Sequence, residues 1–339
     1  MIDGQIIITN QTKYVKEEQK TIFDKNLNSE TILMSINGTI GNLAWYNNEN
    51  IMLGKSASFI VVSDADKIFL YFLLQTDKIK IYFLEKLTGT TIKNLGLKTI
   101  RETPLVLPKR QEQTAIGNFF HTLDDTILIY KRQVQNLKQL KKAYLQQMFP
   151  QEGETVPKIR FSGFAEKWRE TRVGDIFEIT RGQVLAVTKV SVEKNEENNY
   201  PVYSSQTKNN GLLGYYNDFL FDTGITWTTD GANAGTVNFR KGKFFSTNVN
   251  GVLLSKNGFA NQCIAEILNL VAWKYVSKVG NPKLMNNVMS EIKIKIPSIH
   301  EQIVIGNFFY NLDEQITTQQ AKLDDLKKLK SAYLQKMFV

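Results

Sequence analysis

Cysteine and histidine are almost missing from this sequence. Cys263 is the single cysteine among 339 residues, and His121 and His300 are the two histidines. One thiol closes no internal disulfide, and neither residue type is grouped at the spacing of a zinc site. Two isolated histidines offer no paired acid–base centre, so a structural role is expected for each. Long apolar runs are missing as well. The longest, residues 68–74, falls far short of the roughly 18 residues that a spanning helix needs. The first ten residues hold no Lys or Arg ahead of an apolar stretch, unlike a signal peptide. A cytoplasmic protein without a membrane partner is the expectation.

The motifs of nucleotide and base chemistry are also missing. The chain has no G-x-x-x-x-G-K-[ST] phosphate loop. An amino-methyltransferase holds its flipped base in an Asn/Asp-Pro-Pro-aromatic pocket. The nearest string here is Asn281-Pro282-Lys283-Leu284, without the second proline or the aromatic. No catalytic residue, no metal and no cofactor is therefore expected.

What is present is positive charge and a repeat. The 42 Lys and Arg against 33 Asp and Glu leave a formal charge of +9. That excess favours a polyanionic partner, nucleic acid ahead of an anionic membrane surface. With 42% hydrophobic and 22% charged residues, usage is that of a globular protein. The length suits about two domains.

Residues 107–149 and 296–338 align without a gap at an offset of 189, and 21 of the 43 positions are identical. Each copy opens on a proline, Pro108 or Pro297, followed by Glu112-Gln113 or Glu301-Gln302. Then comes I-G-N-F-F, ending in Phe119-Phe120 or Phe308-Phe309, and a Leu-Asp pair at 123–124 or 312–313. A long run free of Pro and Gly follows. Apolar residues recur there at 4-then-3 spacing: Leu123, Ile127, Tyr130, Val134, Leu137, Tyr144 and Met148, with Lys141 as an interruption. The second copy has Leu312, Ile316, Leu323, Leu326, Tyr333 and Met337, interrupted by Gln319 and Lys330. This heptad seam predicts helices over residues 111–148 and 300–337. Two like seams in one chain most simply pack on each other. Pro150 stops the first helix, and residues 151–157 read as a polar linker.

The intervening segments are rich in Gly, Asn, Thr and aromatics. Runs 59–62 and 252–254 read as strands. The Gly-punctuated loops 37–42 and 230–236 correspond, helical patterns follow near 67–84 and 260–276, and residues 89–95 match 280–284 loosely. Each repeat is predicted to be a mixed α/β domain followed by a long helix.

This layout resembles the DNA sequence-specificity (S) subunit of type I restriction–modification systems. The residues that carry the resemblance are P-x-x-x-E-Q-x-x-I-G-N-F-F at 108–120 and 297–309, the Leu-Asp pairs, and A-Y-L-Q-x-M-F at 143–149 and 332–338. Residues 157–164 with Trp168 are similar to the opening of a target recognition domain. The resemblance covers essentially the whole chain. It implies an α/β (α+β) fold class, with two mixed α/β target recognition domains separated by two long helices forming an antiparallel coiled coil. The implied division is 1–106 for the first recognition domain, 107–150 for spacer helix 1, 151–295 for the second recognition domain and 296–339 for spacer helix 2. The implied partners are double-stranded DNA read at two half-sites, two methyltransferase (M) subunits, and restriction/translocase (R) subunits. The S subunit itself is implied to do no chemistry. Projected back by 189, the first domain lacks the counterpart of residues 157–189, with Phe161, Phe164 and Trp168. That domain is expected to be N-terminally shortened, less protected, and weak in half-site reading.

DNA contact needs cations for phosphates and polar groups for base edges. Candidates are Asn37, Thr39, Lys55, Lys93 and Lys98 in the first domain. In the second they are Arg181, Lys189, Lys208, Asn209, Asn210, Asn233, Arg240, Lys241, Lys243 and Lys283. For any one alone, a solvated charge or a turn asparagine is the competing reading. Gly38, Gly41, Gly231 and Gly235 fit tight turns, and Trp227, Phe239, Phe244 and Phe245 fit a core. Phe119, Phe120, Phe308 and Phe309 are expected to pack at the domain–helix junction beside Glu112, Gln113, Glu301 and Gln302, while exposed helix faces dock partners. At about 1.5 Å per residue, each 38-residue helix would span ~57 Å, which implies a non-specific gap of about 5–8 base pairs between half-sites. The second reading is a coiled-coil interaction scaffold without DNA specificity, resting on the heptads alone. Salt-dependent binding to duplex DNA separates the two.

Overall fold

Two units divide the chain in the computed structural model: Met1–Gln133 with Gln319–Val339, and Val134–Thr318. The structure describes residues 1, 4–21, 24, 26–91, 93–151, 153–206 and 208–338.

In the first unit, β1 (Thr31–Ser35), β2 (Leu43–Trp45) and β3 (Ala57–Val61) form an antiparallel sheet in the order β2-β1-β3. The run predicted as a strand over 59–62 lies largely in β3. The helical pattern over 67–84 is two helices rather than one, α1 (Lys67–Leu73) and α2 (Asp77–Glu85). The break falls where the Thr76 hydroxyl donates to the Leu73 carbonyl at 2.8 Å, using an acceptor that a continued helix would need. Asp66 caps α1 by accepting from the amides of Ile68 and Phe69, each at 3.0 Å. Helices α3 (Leu97–Arg101) and α4 (Arg110–Gln147) follow. The core joins Ile32 and Met34 of β1, Phe69 and Phe72 of α1, and Ile116 and Phe120 of α4.

The second unit runs β4 (Arg169–Arg172), α5 (Val173–Ile176), β5 (Glu178–Arg181), β6 (Tyr200–Tyr203), β7 (Leu212–Tyr216), β8 (Phe221–Thr228), β9 (Val237–Ser246) and β10 (Asn250–Leu254). It continues with α6 (Gln262–Val271), α7 (Asn286–Glu291), β11 (Lys293–Ile296) and α8 (Ile299–Lys336). Six strands form one sheet in the order β5-β10-β8-β9-β6-β7, and β11 pairs with β4 separately. Every pairing is antiparallel except β6 with β9. Asn261 caps α6 through the Ile264 amide, and a 3-10 turn over Ala272–Tyr275 completes the pattern predicted over 260–276. Trp227 and Phe244 are fully buried, Phe245 is buried and Phe239 packs against the core.

Helices α4 and α8 have 38 residues each and begin one residue earlier than the seam predicts. In the first unit, Phe119 of α4 meets Tyr333 of α8 ring to edge at 5.3 Å, and Asp124 holds the Lys330 ammonium at 2.6 Å. In the second, Tyr144 meets Phe308 at 4.9 Å, and Lys141 holds Asp313 at 2.7 Å. Rising numbers on one helix meet falling numbers on the other, so the helices are antiparallel within each unit. Lys141 and Lys330, which look like flaws in the seams, are therefore its repeated polar rung. Each is bonded to the aspartate of a Leu-Asp pair, and both the lysines and the aspartates repeat at offset 189. Near the end of α8 the seam passes through Leu334, which is buried with Ile116 and Phe120, rather than through the exposed Tyr333.

The second unit adds a third member to its rung. Lys141 also reaches Glu266 at 2.7 Å. Burial alone would depress the lysine pKa, but the carboxylates of Glu266 and Asp313 outweigh it and hold the pKa above the ordinary value. A folded pKa above the unfolded one gives a contribution that is complete below about pH 10.4 and is lost as pH rises through the folded value. Lys141→Met strands the buried Glu266 and part-buried Asp313 carboxylates and is expected to cost about 3 kcal/mol or more at pH 7. Urea midpoints of both proteins across pH 7 to 11 should converge in the alkaline limb. A constant difference would show that the loss is packing rather than charge.

Candidate nucleic-acid interface

In the second unit three strand ends and one loop converge on Asp230. Arg181, the last residue of β5, donates its Nε to the Asn248 carbonyl at 2.7 Å and lies 3.5 Å from the Asp230 carboxylate through Nη2. Lys283 stands 3.9 Å from the other carboxylate oxygen. The Thr229 hydroxyl donates to Asp230 at 2.6 Å. The backbone fixes Lys283: it exchanges amide bonds with Ser277, and the next amide, that of Leu284, donates to the Thr229 carbonyl at 2.8 Å. Trp227 locks this into the core by donating its indole N–H to the Leu284 carbonyl at 2.9 Å.

Two glycines permit the convergence. Gly182, after Arg181, approaches the β9–β10 turn so closely that a Cβ would stand 2.2 Å from the Thr247 carbonyl oxygen. Gly235 has φ +86°, and a Cβ there would meet Val276 at 2.8 Å. From the same loop Asn233 donates to the Ser205 carbonyl at 3.0 Å, which draws in the segment bearing Lys208, Asn209 and Asn210. All three are exposed, and both asparagines adopt positive φ, a conformation asparagine tolerates better than most residues. Arg181 and Lys283 are about half exposed, and their pairs with Asp230 are long. Exposed pairs of this kind are worth about 0–1 kcal/mol, so a phosphate can displace the carboxylate at little cost.

Arg240, a candidate phosphate contact by sequence, is corrected by the structure. It is only 5% exposed. Its guanidinium lies 3.7 Å over the Tyr203 ring, and Nε donates to the Thr226 hydroxyl at 3.0 Å. Burial, opposed by Tyr203, lowers its pKa to about 10. A Cβ at Gly211 would stand 3.2 Å from Arg240 Nη2, so the arginine packs against the backbone at Gly211. Lys241 and Lys243 flank the Gly242 bulge of β9, where Lys243 covers the Phe219 ring. Lys189 ends the 3-10 turn Val187–Lys189. Among the described residues, no hydrogen bond or ion pair joins these three lysines to the Asp230 cluster.

The first unit builds the same frame with different side chains. Asn37 bridges to Asn94 and Thr88 to Asn94, as Asp230 bridges to Lys283 and Ser277 to Lys283. Segments 88–95 and 277–284 thus correspond at offset 189, a firmer match than 89–95 with 280–284; Ile92 lies outside the described residues. Asn94, which sequence reasoning missed, occupies the place of Lys283. Carrying the offset through the loop would have found it. Lys55 and Lys93 are exposed beside this frame, as is Thr39. The Asn37 amide donates to the Lys55 carbonyl at 3.3 Å, and its Oδ1 is buried without a partner among the described residues. Asn37 therefore serves the loop rather than a base edge. Lys98 faces Glu102 on the exposed surface of α3.

At the helix junctions Gln113 and Gln302 do the same work. Gln113 donates to the Pro108 carbonyl and accepts from the Asp66 amide, both at 2.8 Å. Gln302 donates to the Pro297 carbonyl and accepts from the Asn261 side-chain Nδ2, both at 2.9 Å, where Gln113 takes a backbone N–H. Glu301 is buried and takes a two-point bond from Arg160, at 2.6 and 2.7 Å. That bond raises the arginine pKa. Glu112 is exposed. Phe120 and Phe309 are fully buried, while Phe119 is exposed and Phe308 packs between Tyr144 and Phe161. Among the described residues no helix is long and apolar enough to cross a membrane, and no three His, Cys, Asp or Glu side chains gather as a metal site.

The chain matches the type I restriction modification DNA specificity domain twice, over residues 4–139 and 165–328. It is 34% identical over 226 residues to a protein described as a type I specificity subunit from Mycoplasma pneumoniae, covering 66% of this chain and 80% of that one. It is 38% identical over 146 residues to the specificity subunit of the type I restriction enzyme MpnII from the same organism, covering 42% of this chain and 43% of that subunit. The crystal structure of a type I restriction-modification S subunit from M. genitalium superposes with a TM-score of 0.75 at 18% identity, over 93% of this chain and 84% of that one. That likeness extends the shared fold to nearly the whole chain. With two copies of the domain covering most of its length, this chain belongs to the type I restriction–modification DNA specificity family.

Proposed function

We propose that this chain is the specificity subunit of a type I restriction–modification enzyme and reads a two-part target in double-stranded DNA. The recognition domains, residues 1–106 and 151–295, each read one half-site, and the long helices in 107–150 and 296–339 set the interval. The chain performs no chemistry itself. In the cytoplasm it carries M subunits, two per chain, and R subunits to the site. The observation that carries the reading is the Arg181–Asp230–Lys283 cluster beside the Lys208–Asn210 segment. The cluster offers two weakly held cations and a carboxylate, and the neighbouring segment offers a third cation and two amides. Cations position a protein on phosphates, and a carboxylate or amide can read a base edge.

The test is methylome sequencing after co-expression with the cognate M subunit. A split motif absent without this chain is expected. Methyl transfer by the purified single chain would overturn the reading. For Arg181→Ala with Lys283→Ala, binding to cognate and mismatched duplexes should weaken alike, and the slope of log affinity against log salt should fall by about two. An unchanged slope would remove both residues from the phosphate contacts. Duplex binding without salt dependence would favour the interaction scaffold instead.

A further inference from the structure

Each unit carries the same hairpin turn, and only the tip differs. In the second unit Ser277 and Lys283 exchange both amide bonds, at 2.8 and 3.1 Å, and enclose residues 278–282. In the first, Thr88 and Asn94 do so at 3.0 and 2.9 Å. The anchors repeat as well. Leu284 and Leu95 are fully buried, and their amides donate to the Thr229 and Ile36 carbonyls at 2.8 and 2.9 Å. The enclosed residues share nothing: Lys-Val-Gly-Asn-Pro at 278–282 against Gly-Thr-Thr-Ile-Lys at 89–93. A fixed frame with a changed tip suits a reading element, because the frame sets the depth while each tip meets a different base sequence.

In the second unit the tip presents an apolar side chain. Val279 is 91% exposed, between the exposed Lys278 and Gly280 at φ +70°. An exposed apolar residue is ordinary on a protein surface, so its surroundings decide the matter. Val192 is 87% exposed too, but Glu193, Glu196 and Glu197 follow it, and carboxylates repel phosphates. Val279 has the opposite setting. Lys278 precedes it, and the turn closes on Lys283, which shares Asp230 with Arg181. A two-stranded turn fits the major groove, which is about 12 Å wide, and the apolar feature on the base edges there is the thymine 5-methyl group.

We propose that the 277–283 turn enters the major groove of the half-site read by the second unit, and that Val279 reads a thymine there by packing on its 5-methyl group. This rests on the DNA-reading function proposed above and names one specificity-determining contact within it. Arg181 and Lys283 hold the flanking phosphates and set how deep the turn sits. The valine supplies an apolar contact that thymine answers with a methyl group, where cytosine has only a ring hydrogen.

Duplexes carrying the split motif, with each thymine replaced in turn by uracil, test this on the full chain with its M subunit. Uracil keeps every hydrogen-bonding group of thymine and lacks only the methyl. One thymine is expected whose replacement weakens binding about fourfold, the worth of one buried methyl-sized group. Val279→Ala should weaken binding to the thymine duplex by a similar factor and make it indifferent to uracil at that position. Val192→Ala, at a valine just as open, should leave both affinities unchanged. Circular dichroism of both variants should match the parent chain, because neither side chain is packed. Uracil tolerated at every thymine, half-sites without thymine, or a uracil loss that persists in Val279→Ala would overturn the inference, while the motif itself would still uphold the wider function. Absence of any split motif would overturn both.

Discussion

Inserting one heptad into each long helix, in α4 after Leu137 and in α8 after Gln319, is expected to widen the non-specific gap of the DNA target by about three base pairs. Both half-sites should stay the same. Seven residues preserve the seam register and lengthen a helix by about 10 Å. A heptad in α4 alone is expected to fail. Asp124 and Lys141 stand 17 residues apart on α4, as do Asp313 and Lys330 on α8. The bonds Asp124–Lys330 and Lys141–Asp313 can both survive only if the two intervals grow together. Methylomes of the double and single insertions, each co-expressed with the M subunit, supply the comparison. Altered half-sites with an unchanged gap would mean that the helices are not the ruler.

Arg160→Ala is expected to cost the second unit about 3–5 kcal/mol, because it leaves the buried Glu301 carboxylate without a cation. Both oxygens of Glu301 accept from Arg160 at 2.6 and 2.7 Å, and burial denies them water. A loss of that size is a large fraction of the 5–15 kcal/mol that holds a typical domain. Glu112→Gln, at the equivalent exposed position, should change stability by no more than about 0.5 kcal/mol. Arg160→Lys keeps the charge but not the fork, and should fall between. Urea unfolding followed by tryptophan fluorescence reads all three. Equal losses from Arg160→Ala and Glu112→Gln would show that the contrast in burial has no energetic consequence.

The repeat, the two 38-residue helices and their pairing are legible in the sequence. Heptad periodicity is a local property, and the 189-residue offset compares like with like across the chain. The meaning of Lys141 and Lys330 was not legible in one seam alone. Each reads as a flaw until the other helix supplies Asp313 or Asp124. The break between α1 and α2 turned on one hydroxyl, that of Thr76, competing for a carbonyl. Apolar patterning does not register such a contest.

Sequence by itself determined the architecture and the family, because period, Pro–Gly punctuation and internal identity are carried by neighbours along the chain. Tertiary structure alone decided which charges can meet a partner. Arg240 and Lys241 are adjacent cations in sequence, yet the first lies buried on Tyr203 and the second faces solvent. Glu112 and Glu301 are the same residue of the repeat, yet only Glu301 is sealed beneath Arg160. The physical reason is that the state of an ionisable side chain depends on desolvation and on partners brought from distant segments. Those terms exist only after the chain has folded.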